Sequence, residues 1–150
     1  MKGIVSSVYM ETYCHATEDL EKVKLALMNM IPPSIRNSVR ISRDVLRGYH
    51  GNPIVVLRVR ILDKEHALST VQFLSSLMTD DDRRRIINTL GLRLDRSKNL
   101  YIRVDKQYAY RGLARVMEHD DVIKIKISLS LRGKDLNKIR EALKTIGLVE

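Results

Sequence analysis

Residues 121–131 alternate with a period of two, setting Ile123, Ile125, Ile127, Leu129 and Leu131 against Lys124, Lys126, Ser128 and Ser130. Successive side chains of a strand point to opposite faces, so this segment offers one face to a core and one to water. A strand buried in a parallel sheet would be apolar on both sides. The pattern therefore demands a sheet covered on one side only, together with further strands to extend it and helices to cover it.

Both are present. In residues 54–62, Val55, Leu57, Val59 and Ile61 oppose Arg58 and Arg60; in 99–105, Leu100, Ile102 and Val104 oppose Tyr101, Arg103 and Asp105. Residues 4–14 place Ile4, Val8, Met10 and Cys14 largely on one face and Ser7, Tyr9, Glu11 and Tyr13 on the other. Weaker strands are expected at 39–47 and at about 92–96, the latter turning through Ser97 and Lys98. Between 39–47 and 54–62, Arg47-Gly48-Tyr49-His50-Gly51-Asn52-Pro53 has hairpin-loop chemistry.

Apolar residues at three-to-four spacing mark the helices. One starts at Thr17, an N-cap before Glu18, Asp19 and Glu21, and is stopped by Pro32-Pro33. A second starts at Asp63 or Lys64 and carries Ala67, Leu68, Val71, Leu74, Leu77 and Met78. A third follows the cap Thr79 and its acidic first turn, Asp80-Asp81-Asp82, and stops at Gly91. A short helical or irregular piece holds Lys106 to Gly112, and a last helix spans Lys134 to Ile146. The expected architecture is a single α+β domain over 1–150, a two-layer sandwich with a mostly antiparallel sheet and its helices on one face.

If the apolar faces all turn toward the helices, the open face collects Tyr9, Tyr13, Arg58, Arg60, Tyr101, Arg103, Lys124 and Lys126. Cations interleaved with rings suit single-stranded or looped RNA, since the cations meet phosphates and tyrosines stack on bases. Two plainer readings stand beside it: a solvated face of tolerable cross-strand pairs, and a protein interface, in a structural homodimer or an adaptor protein. Register is decisive, because a slip of one residue sends a strand's set to the other side.

Net charge points the same way. The chain has 27 basic and 18 acidic residues, a net charge of +9, which favours a polyanionic partner, nucleic acid ahead of an anionic membrane. Between Arg83 and Arg115, ten Lys or Arg face Asp95 and Asp105 alone, so this stretch holds +8 of the +9. We expect it to adjoin the Tyr/Arg/Lys sheet face. A solvated surface whose acidic partners come from elsewhere in the fold is the alternative.

Catalytic motifs are not assembled. There is no Gly-x-Gly-x-x-Gly and no phosphate-loop Gly-Lys-Ser/Thr. Cys14 is the one cysteine, so no internal disulfide can form, and His15, His50, His66 and His119 lack metal-ligand spacing. Asp80-Asp81-Asp82 reads as capping and Asp120-Asp121 as a turn; a metal-dependent nuclease using Asp120, Asp121 or His50 is the weakest alternative. No catalytic residue, metal or cofactor is assigned. No apolar run reaches the ~18 residues of a membrane span, and Ser6, Ser7 and Glu11 interrupt any signal-peptide core, so a cytoplasmic location and no membrane partner are expected.

Four segments taken in order carry a resemblance: Ala16-Thr17-Glu18-Asp19; Gly48-Tyr49-His50-Gly51-Asn52-Pro53-Ile54; Tyr101 through Tyr110, with Asp105-Lys106-Gln107-Tyr108-Ala109-Tyr110 the most specific part; and Asp120-Asp121-Val122-Ile123. From about residue 4 to 131 the chain resembles a family of small archaeal proteins described as predicted exosome subunits, or as RNA-binding proteins with a ribosomal-protein-L5-like fold. One departure is Tyr49 before His50, where the family pattern has His before Tyr. The resemblance implies an α+β sandwich in the archaeal cytoplasm, associated with RNA or an RNA-processing complex. On the matched residues it implies Arg103 and Lys106 as phosphate contacts, Gln107 as a hydrogen-bonding reader and Tyr108 or Tyr110 as a stacking ring; Arg111, the next residue of the basic stretch, is a further RNA-binding candidate. The structural alternative has Asp105 capping a short helix and Ala109 packing inward.

Overall fold

Among the described residues, five strands, β1 (Val5–Cys14), β2 (Ile41–Arg47), β3 (Pro53–Ile61), β4 (Asn99–Asp105) and β5 (Val122–Leu129), form one sheet in the order β2-β3-β1-β5-β4. Every pairing is antiparallel. The structure is a computed structural model and describes residues 4–48, 51–133 and 135–148. The expected hairpin residues Tyr49 and His50, and Lys134 at the start of the last helix, lie outside them.

Among the described residues, six helices accompany the sheet: α1 (Leu20–Met28), α2 (Lys64–Ser76), α3 (Asp80–Asn88), α4 (Leu90–Arg93), α5 (Lys106–Tyr110) and α6 (Leu136–Thr145). One side of the sheet contributes Met10, Leu57, Val59, Leu100, Ile102, Ile125 and Ile127 to a single core. The helices supply Val23, Leu27, Val71, Leu74, Ile86, Leu90, Ile139 and Leu143 to that same core. The α+β architecture with one covered and one open sheet face is thus the one the strand alternation demands. At the start of β1 the register shifts between Val5 and Ser7, which turns both Ile4 and Val5 inward where strict alternation would have sent one out.

Caps set the helix starts. Thr79 and Asp82 form a reciprocal capping box at α3, and Asp63 caps α2. Helix α1 begins later than the Thr17 reading: Asp19 is its cap, accepting from the Glu21 N–H at 2.9 Å. After α1, Pro33–Ser38 form a 3-10 turn. The expected strand at 92–96 is a second correction. Residues Leu90–Arg93 are a helical turn with Gly91 inside it, and only Leu94 makes an isolated bridge, to Leu100. A bridge from Val116 to Val104 closes more of the same edge. The β4 edge is therefore covered, while the β2 edge is blunted by Arg40, Arg43 and Arg47.

Candidate nucleic-acid interface

Cross-strand register brings the outward residues of four strands into two adjacent rows. Arg58, Glu11, Lys124 and Arg103 are direct partners in one; Arg60, Tyr9, Lys126 and Tyr101 in the next. Residues 58, 60, 101, 103, 124 and 126, spread over three strands and 69 positions of chain, thus meet on the uncovered face. Pairing at about 4.8 Å between strands makes each row a line of groups in contact with its neighbours.

The rows are not uniformly positive. Glu11, which alternation had already set among these cations, receives the Arg58 Nε at 3.2 Å and the Tyr9 hydroxyl at 2.6 Å. Partial burial works against its charge, but the hydrogen bonds from Tyr9, Arg58 and Tyr13 outweigh it and hold the Glu11 carboxyl below its usual value. Arg58 also pairs with Asp44 on β2. Its guanidinium is engaged on two sides, so it is less available to a phosphate than Arg60 or Lys124, both of which are exposed. Arg103 is more loosely held, 3.9 Å from Asp120 and 3.4 Å from the His119 carbonyl.

The rings on and around the face are mostly occupied by the protein's own cations. Arg60 and Lys126 sit 5.2 and 5.5 Å from the Tyr9 centroid, and Lys124 sits 5.3 Å from that of Tyr13. Tyr101 differs: it is 45% exposed, and its hydroxyl donates to Asp95 at 3.0 Å. Asp95 is itself fixed in the turn before β4. The Asn99 backbone N–H and side-chain amide, then the Tyr101 hydroxyl and the Ser97 N–H, hold its carboxyl down to about 2.

The segment after β4 does not join this face. Asp105 caps α5 through the Tyr108 N–H at 2.8 Å, and α5 is tied to α1 by Asn29, whose Nδ2 donates to the Ala109 and Tyr110 carbonyls. Lys106 corrects the expectation of a phosphate contact. Its side chain is 4% exposed, and its Nζ lies 2.6 Å from the Tyr13 carbonyl, 3.1 Å from Glu18 and 3.0 Å from Asp121. A charge so surrounded holds the end of the sheet to α1's approach and has no donor left for RNA. Gln107 is exposed at the same end and donates to Asp121 at 3.2 Å. Arg111 and Arg115 stand over Tyr108, and Lys22 over Tyr110, so these residues lie among the helices.

Most of the basic stretch is likewise distributed over the helical side and the covered edge. Arg83 bonds the Ser75 carbonyl, Arg84 pairs with Asp81, Arg85 bonds the Val116 carbonyl, and Arg115 approaches Asp82. Arg93, 9% exposed, pairs with Glu118 at 2.6 Å. Of the ten cations between 83 and 115, Arg103 alone stands in the two rows. The expected continuity between that stretch and the sheet face is not what the fold builds.

His119 has both ring nitrogens engaged within the fold. Its Nε2 lies 2.8 Å from Asp105, and its Nδ1 accepts the Asp121 N–H at 3.1 Å, which places the proton of the neutral ring on Nε2. Among the described residues no three His, Cys, Asp or Glu side chains are grouped to hold a metal ion. No described helix is long and apolar enough to cross a membrane.

Comparison with known proteins places the chain among relatives. The RNA-binding protein PAB1135 of Pyrococcus abyssi is 34% identical over 124 residues, 82% of this chain and 80% of that one. Two solved structures superpose closely: AF2318 of Archaeoglobus fulgidus, with a TM-score of 0.80 and 27% identity over 95% of this chain and 99% of the other; and Mth689 of Methanothermobacter thermautotrophicus, with 0.77 and 30% over 95% and 98%. Both are described as DUF54 proteins. The family model RNA_binding, described as RNA binding, matches residues 7–129, the span from the first open-face residue of β1 to the end of β5, and the chain belongs to that family.

Proposed function

We propose that this protein binds RNA, without catalysing a reaction on it, by laying the phosphate backbone across the open sheet face. Arg60, Arg103, Lys124 and Lys126 supply the main contacts, with Arg58 secondary and Gln107 at the end of the sheet. A cytoplasmic role in an RNA-processing or ribonucleoprotein assembly, exosome-related, belongs to the same proposal, as does kinship with L5-like folds. The observation that carries it is the convergence of Arg58, Arg60, Arg103, Lys124 and Lys126 from three strands in two adjacent rows with no described helix over them.

Four phosphate contacts on single-stranded RNA give a slope of log K against log salt of about −2.8, at roughly 0.7 per phosphate. Fluorescence anisotropy of a labelled RNA across a salt series tests this with Arg60→Ala/Arg103→Ala. The double variant is expected to bind more weakly and to reduce the slope by about 1.4. Affinity and slope both unchanged would remove the face from the interface. The competing homodimer through this face is opposed by symmetry, since a two-fold axis sets a surface against itself and would bring like charges together. Light scattering showing a stable dimer that excludes RNA would favour it.

A further inference from the structure

The open face contains a hollow of about 210 Å3 between β1, β5 and β4, lined by Tyr9, Glu11, Tyr101, Lys124, Ile125 and Lys126. Lys124 and Lys126 bound it along the strand. Tyr9 and Glu11 stand on one flank and Tyr101 on the other. Ile125 points into the core and is 1% exposed, so what it gives the hollow is a floor of backbone.

The tyrosines around the molecule are not equivalent. Among the described residues, Tyr9, Tyr13, Tyr108 and Tyr110 each carry a lysine or arginine over the ring, and Tyr101 does not. Tyr101 is also the most exposed tyrosine described, at 45%. The hydroxyl is anchored to Asp95, and Asp95 is clamped by the Ser97 and Asn99 N–H groups at 2.9 Å each. A bare ring held by its far end loses little freedom when something stacks on it. Tyr9, by contrast, uses its ring to hold Lys126 and Arg60 beside the hollow.

We infer that this hollow receives one unpaired base of a single-stranded RNA, stacked on Tyr101, with the Lys124 and Lys126 ammoniums meeting the phosphates on either side. The inference rests on the RNA-binding reading above and adds to it a preference for single over double strands. In a duplex the bases are stacked and paired inside the helix and cannot enter the hollow, so a duplex gains only the phosphate contacts. Each base has a π-face, so stacking here is tolerant of sequence.

The test uses the full chain and a short labelled RNA, single-stranded or annealed to its complement, with one 2-aminopurine in the single strand. Wild type is expected to bind the single strand more tightly than the duplex and to quench the 2-aminopurine. Tyr101→Ala is expected to weaken single-strand binding by about 5- to 150-fold, the equivalent of about 1–3 kcal/mol for one stacked base, and to abolish the quench. Its salt slope and duplex affinity should stay within about twofold of wild type, because no phosphate contact is removed. Tyr101→Phe keeps the ring but frees its far end, so it should keep the quench and lose several-fold less affinity than Tyr101→Ala. Equal loss in Tyr101→Phe and Tyr101→Ala would assign the effect to the Asp95 tie and overturn stacking. So would salt-dependent RNA binding by wild type that Tyr101→Ala leaves intact, while the backbone reading stands. If Arg60→Ala/Arg103→Ala also leaves binding untouched, both readings fail. Competition by a free nucleoside monophosphate at the concentration of the oligonucleotide would make the occupant a nucleotide and not RNA.

Discussion

Replacing Lys106 by Met separates a structural cation from an RNA-binding one. The methionine keeps the apolar stem as far as Cε and removes the ammonium that lies 2.6 Å from the Tyr13 carbonyl, 3.1 Å from Glu18 and 3.0 Å from Asp121. Removing one partner of a buried pair costs about 3–5 kcal/mol, because the opposite charge stays behind without compensation. Here the carboxylates left behind are partly wetted, with side-chain exposures of 22% for Glu18 and 45% for Asp121. Solvent therefore recovers part of the loss, and about 2–3 kcal/mol is expected. For a chain of this length each kcal/mol moves Tm by about 2–4 °C, so Tm should fall by about 4–12 °C. Thermal unfolding followed by circular dichroism measures it, and RNA affinity measured well below the new Tm should stay within about twofold. Lys106→Met/Asp121→Asn removes one of the two stranded charges and should recover about 1 kcal/mol. A variant with unchanged Tm and RNA binding weakened several-fold would refute the burial reasoning and return Lys106 to the interface.

Three further outcomes follow from the same geometry. Ile125→Ala, in a strand paired on both sides and fully buried, should cost about 2–5 kcal/mol in urea unfolding; a loss under 1 would mean the core face is assigned wrongly. Thr79→Ala breaks the reciprocal cap of α3 and should cost about 1 kcal/mol in the same assay. The Asp95 carboxyl is held down to about 2 from 3.8. A depressed acid stabilises the fold fully above its unfolded value and loses that contribution as pH falls through the folded one. The Asn99 amide and Tyr101 ring signals in NMR should therefore hold steady down to about pH 3 and shift through a midpoint near pH 2; a transition centred near 4 would show that the turn does not grip Asp95.

The face of the sheet was legible because periodicity is local. In β5 and β4 the residue at each position has its side decided by its neighbours two away, and the covered face then follows from which set is apolar. The strand expected at 92–96 shows where such reading stops. Leu92 and Leu94 alternate over too short a span to compete with a helical turn that lets Leu90 join the core and Arg93 reach Glu118. Val5 is a second case, turned inward by a register shift that alternation cannot express.

The chain's own pattern of apolar and polar residues determined that a half-covered antiparallel sheet would form and that Arg60, Tyr101, Arg103, Lys124 and Lys126 would share its outer side. Which cations remain free on that side was decided only by folding. Glu11 meets Arg58 across 47 positions, and Glu18 meets Lys106 across 88. A run of basic residues reports charge, whereas availability depends on acids and carbonyls brought in from distant segments. Side-chain direction is a short-range property of the backbone; electrostatic pairing acts through space.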